Sequence, residues 1–131
     1  MSDRIPPVSV RYIVHDVDAA VAFYEGQLGF EVQARPGPGF AIVSRGSLRL
    51  LLNTPSGPGG AAQAMPDGRV PEPGGWNRIQ LEVDDLAAVV EELREAGASF
   101  RNDIVTGRGG KQILLDDPSG NPIELFEPAR D

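Results

Sequence analysis

Arg78, Gln80 and Glu82 stand at alternate positions of one apolar run, and Ser9, Arg11 and Ile13 do the same near the N-terminus. Alternate residues of a strand share a face, so each triplet turns its side chains to one side. Glu124 and Phe126 form a third such pair near the C-terminus. These residue types bind, orient and exchange hydrogen bonds, and no Ser/His/Asp constellation that would activate a nucleophile stands among them. The chain has no cysteine and a single histidine, His15. A thiol nucleophile, thiolate ligands and disulfides are therefore excluded, and a two-histidine, one-carboxylate metal site cannot be built from one chain. Trp76, the only tryptophan, follows a flexible Pro/Gly stretch and is a stacking candidate. A lone Trp more often serves packing than ligand binding.

Other patterns point to chemistry less firmly. Gly107-Arg108-Gly109-Gly110-Lys111 resembles a phosphate loop but lacks the strand–GxxxxGK[ST]–helix setting, and it reads as a hairpin turn. Asp116-Asp117 resembles a carboxylate pair, yet an Asp in a turn binds its own backbone amides. Glu91, Glu92 and Glu95 lie with Arg94 on a helix face and read as solvated surface. His15 falls beside a helix cap and reads as a loop or surface residue.

The elements that must position these side chains come twice. Val14-His15-Asp16-Val17-Asp18-Ala19-Ala20-Val21 returns about 69 residues later as Val83-Asp84-Asp85-Leu86-Ala87-Ala88-Val89-Val90. Such a repeat decides the fold. In the first copy, Val8–Val14 alternates as a strand. Asp16 caps a helix running to about Gln27, with Val17, Val21 and Tyr24 on its apolar face. Gly29 stops it. Phe30–Gln33 is a strand and Pro36–Gly39 a turn. Phe40–Ser44 and Leu48–Leu52 form a hairpin across Arg45-Gly46. In the second copy, Asn77–Val83 is a strand, Asp85–Ala96 a helix and Ser99–Asn102 a strand. Lys111–Leu115 and Pro122–Phe126 close it as a hairpin.

The plan is α+β: one domain over residues 1–131 made of two tandem βαβββ units, 1–53 and 76–131, forming a curved mixed sheet with a concave cup. Residues 54–75 join them. This connector is rich in Pro and Gly, and its Ser-Gly-Pro-Gly-Gly-Ala-Ala run is spacer chemistry. A flap over the cup is the other reading, with Met65 as a flap residue.

The net charge is −7, and the acidic excess lies wholly beyond residue 65. Without a basic stripe, nucleic acid is an unsuitable partner. The start, Met1-Ser2-Asp3-Arg4, carries neither a basic leader nor a long apolar run, so no signal peptide or membrane span is expected. A cytoplasmic location is compatible.

Phe23-Tyr24, Leu28-Gly29-Phe30 and Asp117-Pro118-Ser119-Gly120-Asn121-Pro122-Ile123-Glu124-Leu125, set on two βαβββ units, strongly resemble the vicinal oxygen chelate superfamily. That group includes glyoxalase I, extradiol dioxygenases, fosfomycin-resistance enzymes and bleomycin-binding proteins. Its enzymes place metal ligands, mostly His and Glu, on the first and last strand of each half. By the repeat, the resemblance puts those positions at Ser9, Leu50, Arg78 and Glu124. Only Glu124 is a usual ligand type, and Arg78 would put a permanent cation in the metal's place. No metal, cofactor or catalytic residue is therefore expected. Arg78 and Glu124 are expected to form a salt bridge there.

The resemblance to the antibiotic-binding members implies a non-catalytic protein that sequesters a hydrophobic or aromatic natural product of enediyne, quinone or glycopeptide type. Its cup would lie at a homodimer interface, with the N-terminal strand exchanged near Pro6-Pro7. The expected ligand-binding residues are Ser9, Arg11, Ile13, Phe40, Leu50, Trp76, Arg78, Gln80, Glu124 and Phe126. The alternative is a glyoxalase-like lyase or isomerase with Glu124 as general base. A third reading is a domain whose cup is filled by its own side chains.

Overall fold

A computed structural model describes residues 5–55 and 60–130. The leader reading of Met1–Arg4 and the spacer reading of Ser56–Gly59 lie outside these residues. The chain divides into two compact units, 1–73 and 74–131, and the fold class is α+β, each unit carrying one helix and one sheet. Neither helix is long and apolar enough to cross a membrane.

In the first unit, β1 (Ser9–Ile13) leads into α1 (Val17–Leu28), followed by β2 (Glu31–Gly37), β3 (Phe40–Arg45) and β4 (Leu48–Asn53). The sheet order is β1-β4-β3-β2, and β1 runs parallel to β4 while the other neighbours are antiparallel. A parallel pair needs a crossover, and α1 begins it. Asp16 starts the helix by accepting from the Ala19 amide at 3.1 Å, a cap that contributes about 1 kcal/mol. Gly29 ends it in the left-handed region, at φ 74°, which a residue with a Cβ adopts only at a cost. The predicted apolar stripe is the buried one, since Val17, Val21 and Tyr24 are all in the core. Tyr24 is enclosed edge-on by Phe23 at 5.2 Å and Phe30 at 5.3 Å, and each such ring pair adds about 0.5–1.5 kcal/mol beyond burial.

The second unit repeats the plan with β5 (Ile79–Glu82), α2 (Leu86–Glu95), β6 (Ser99–Phe100), β7 (Val105–Thr106), β8 (Gly110–Asp116) and β9 (Pro122–Pro128). The path is β5-β9-β8-β6, with β7 also on β8. Asp85 caps α2 through the Ala88 amide at 3.1 Å, and Leu86, Val90 and Leu93 are its buried face.

The main differences from the sequence expectation are three boundaries and one additional strand. β2 continues through Pro36 to Gly37, because two register irregularities against β3 let the strand carry a proline; the turn shrinks to Pro38-Gly39. β5 begins at Ile79, which leaves Asn77 and Arg78 before the strand. β6 stops at Phe100, because the Asn102 side chain takes over as acceptor for the Leu114 amide at 2.9 Å. β7 is the strand that periodicity missed, two residues being too few to show alternation. The glycine-rich Gly107–Gly110 segment is its turn onto β8, closed by the Gly107 amide on the Gly110 carbonyl at 2.8 Å.

Candidate functional site

In each unit the alternating strand pattern sends one set of side chains under the helix and the other set to the opposite face. The helix-side set of the first unit holds Tyr12, Ala41, Val43, Leu50 and Leu52, all buried. The opposite face carries Ser9, Arg11 and Ile13, whose register partners on β4 are Arg49, Leu51 and Asn53. Those in turn face Ser44, Ile42 and Phe40 on β3. Phe40 and Ile42, whose face alternation alone leaves open, therefore share the face of Arg11.

Leu50 requires a correction. It is 0% exposed and pairs with Val10 and Val43, on the helix side of the sheet. Leu51 is the residue beside Arg11. A one-residue shift in register moves a side chain to the other face, and the unequal loops of the two units hid that shift.

The second unit gathers a denser polar cluster. Glu124 pairs in register with Gln80 and Leu114, and Phe126 with Glu82 and Gln112. Glu124 is 7% exposed and both its oxygens are occupied. Arg78 donates to Oε1 from Nε at 3.0 Å and from Nη2 at 2.8 Å. Gln80 donates to Oε2 at 2.6 Å. The salt bridge expected from sequence is thus formed. Taking a carboxylate out of water costs several kcal/mol, and hydrogen bonds to a charged group return about 1.5–3 kcal/mol each. The two effects are of similar size, so the cluster fixes geometry more than it adds stability.

A second arginine, Arg101, organises the approach to β5. It donates to Asp116 at 2.6 Å, to the Gly75 carbonyl at 2.8 Å and to the Gly120 carbonyl at 3.1 Å. Its guanidinium lies 4.7 Å from the centroid of the Trp76 ring. Arg78 in turn donates to the Trp76 carbonyl at 3.3 Å, and the Asn121 side chain accepts from the Gly74 amide at 2.8 Å. Gly74 and Gly75 both have positive φ, which lets the chain turn sharply there. Trp76 is nevertheless 68% exposed, so the ring is held from beneath and open above.

Asp117 is the turn residue read from sequence. It is buried and accepts from the amides of Ser119 and Asn121 at 2.8 and 3.0 Å. His15 is exposed on the bend between β1 and α1. Among the described residues no group of three or more His, Cys, Asp or Glu could hold a metal ion.

A cavity of about 580 Å³ lies within the first unit. Phe40, Pro36 and Gly37 form its sheet side, and Gly60 and Ala61 of the connector form another wall. Its polar edge is Arg11 and Asn53, joined by a hydrogen bond from Nη1 of Arg11 to Oδ1 of Asn53. Ala62, beside these connector residues, is fully buried, which anchors that wall.

Of the residues expected from sequence, the structure puts Arg11 and Phe40 on the lining of the first-unit cavity and joins Arg78, Gln80 and Glu124 by hydrogen bonds; Asn53, Leu51, Arg101 and Asp116, which lie among these groups, were not expected. Asn53 was within reach, because it continues the alternation Arg49, Leu51, Asn53. Arg101 had no comparable signal, since its contacts are to turns distant in sequence.

The family model described as Glyoxalase/Bleomycin resistance protein/Dioxygenase superfamily matches residues 5–125. Among solved structures, a member of that superfamily from Sphaerobacter thermophilus DSM 20745 is 29% identical, with a TM-score of 0.73, over 95% of this chain and 98% of that one. TnmS3, an antibiotic binding protein from Streptomyces sp. CB03234, is 24% identical with a TM-score of 0.73 over 98% and 100% of the two chains. The bleomycin-binding protein of Streptomyces verticillus is 22% identical with a TM-score of 0.63 over 98% and 100%. The last two likenesses establish a shared fold alone.

Proposed function

The chain belongs to the Glyoxalase/Bleomycin resistance protein/Dioxygenase superfamily, and we propose that within it this protein is a non-catalytic binder that sequesters a hydrophobic or aromatic natural-product antibiotic. The observation that carries this reading is the cavity of the first unit. Its volume of about 580 Å³ lies within the range of small-molecule sites, and its apolar walls with a few placed polar groups are their usual composition. Trp76, backed by Arg101 and open on its other face, is an independent stacking surface in the second unit. TnmS3 and the Streptomyces verticillus protein, of the same fold, bind antibiotics.

Metal chemistry of the kind the family's enzymes use does not fit this donor set. Arg78 is a cation at one of the ligand positions, and the oxygens of Glu124 already accept from Arg78 and Gln80. The same bonds weigh against Glu124 as a general base, which needs an oxygen turned to the substrate.

The working form we propose is a homodimer that exchanges the N-terminal arm. Ile5 and Val8 are strongly exposed, and Pro6-Pro7 between them keeps the arm extended. Light scattering on the intact protein and on an Ile5→Ser, Val8→Ser variant tests this. A dimer that becomes a monomer supports the exchange, and an intact protein that is monomeric removes it.

The function is tested by thermal shift of metal-stripped protein against divalent metals and a panel of flat aromatic antibiotics. A compound present at a hundredfold its dissociation constant stabilises the native state by about 2.7 kcal/mol. Stabilisation by such a compound, recovered chemically unchanged, supports sequestration. Turnover of the compound, or stabilisation by metals alone, returns the chain to the enzymes.

A further inference from the structure

We propose that the first-unit cavity selects ligands carrying an anionic oxygen group on a flat apolar body, and that Arg11 reads that charge. This rests on the binding role proposed above and names the chemical class of its ligand. The inference starts from a contrast among three arginines. Arg78 is matched by Glu124 at 2.8 Å and Arg101 by Asp116 at 2.6 Å. Arg11 instead donates to Asn53, a neutral amide, and among the described residues that line the cavity there is no carboxylate.

Asn53 is buried, so its carbonyl oxygen is a fixed point that orients the guanidinium without neutralising it. A guanidinium stays protonated at any physiological pH and has more N–H donors than one acceptor can use. Its remaining edge suits a carboxylate or phenolate oxygen, which it can take in bidentate form. Phe40 and Pro36 beside it offer an apolar surface to the flat body, while the exposed guanidinium of Arg11 stays within reach of its charged group. The protein as a whole carries a net charge of −7, so its overall field repels anions. A preference for an anion must therefore arise locally, and among the described residues of the lining Arg11 is the cation that can supply it.

The test compares pyrene-1-carboxylate with pyrene-1-carboxamide, two fluorescent probes of the same shape and different charge, by anisotropy at neutral pH. The intact protein is expected to bind the carboxylate about tenfold more tightly. Arg11→Gln should abolish that preference, so that the two probes bind with equal affinity. Arg11→Lys, which keeps the charge but not the fork, should retain part of it. Equal binding of both probes, unchanged by Arg11→Gln, overturns the anion selection and leaves the binding role standing. A preference that survives Arg11→Gln overturns the assignment to Arg11. Failure of both probes to bind overturns the cavity as a site for flat apolar bodies and this proposal with it, and the binding role is then decided by the antibiotic panel.

Discussion

Arg78 places two donors, Nε and Nη2, on the same oxygen of Glu124, and Gln80 takes the other oxygen. Removing one partner leaves a charge with nothing to balance it in a half-buried setting. Arg78→Ala is expected to lower stability by about 2 kcal/mol, measured by urea denaturation. The double change Arg78→Met, Glu124→Leu should recover most of that loss, because the desolvation cost disappears together with the pair. If the double variant is no better than the single one, the cluster contributes net stability and the near balance argued above is wrong.

Leu50 and Leu51 are neighbours on opposite faces of β4, which gives the register a direct check. Leu50→Ala opens a hole in a fully enclosed site and should cost about 2–5 kcal/mol. Leu51, beside Arg11 and Ile42, is only partly covered, so Leu51→Ala should cost clearly less. A reversed order would show that the strand is turned the other way.

Gly110 is required by geometry. A Cβ there would meet the Glu127 carbonyl oxygen at 2.1 Å and the Ala129 nitrogen at 3.0 Å, at φ +148°. Both obstacles are backbone, so no side chain can move aside. Gly110→Ala should cost more than about 2 kcal/mol. Gly109→Ala, which meets nothing within 4 Å, should stay within about 0.5 kcal/mol of the original protein. The separation of the two melting temperatures is the measurement.

Trp76 and Arg101 touch, yet they should not matter equally. The ring is mostly exposed, and its stack with Arg101 is worth about 0.5–1 kcal/mol at such a site, so Trp76→Ala should cost no more than about 1 kcal/mol. Arg101→Ala leaves Asp116 and two turn carbonyls without their donor and should cost about 2 kcal/mol. Urea midpoints decide the order. A larger loss from Trp76 would mean that the ring packs rather than presents itself.

The two units, their caps and their apolar stripes could be read in the sequence because each rests on local rules. Asp16 and Asp85 stand before apolar residues at helical spacing, and Gly29 follows the last of them. The face of Leu50 could not be read, because it depends on how many residues the preceding hairpin consumes, and the two units consume different numbers. β7 escaped for its brevity. The Arg78–Glu124 bond was foreseen from the repeat together with the family pattern. The Arg101–Asp116 bond was not, since it joins the end of β6 to the end of β8 and no spacing rule connects them. Long-range polar contacts of this kind follow from the assembled fold.

Leu51 and Glu124 occupy corresponding places: each lies on the last strand of its unit, and their register partners Arg11 and Gln80 sit the repeat length apart. One carries a hydrocarbon and the other a tethered charge. The halves have therefore ceased to be interchangeable by inheritance. A chain that doubled the first unit would carry two Arg11–Asn53 pairs and no Arg78–Glu124 ion pair, and one that doubled the second would carry two of those ion pairs and no Arg11.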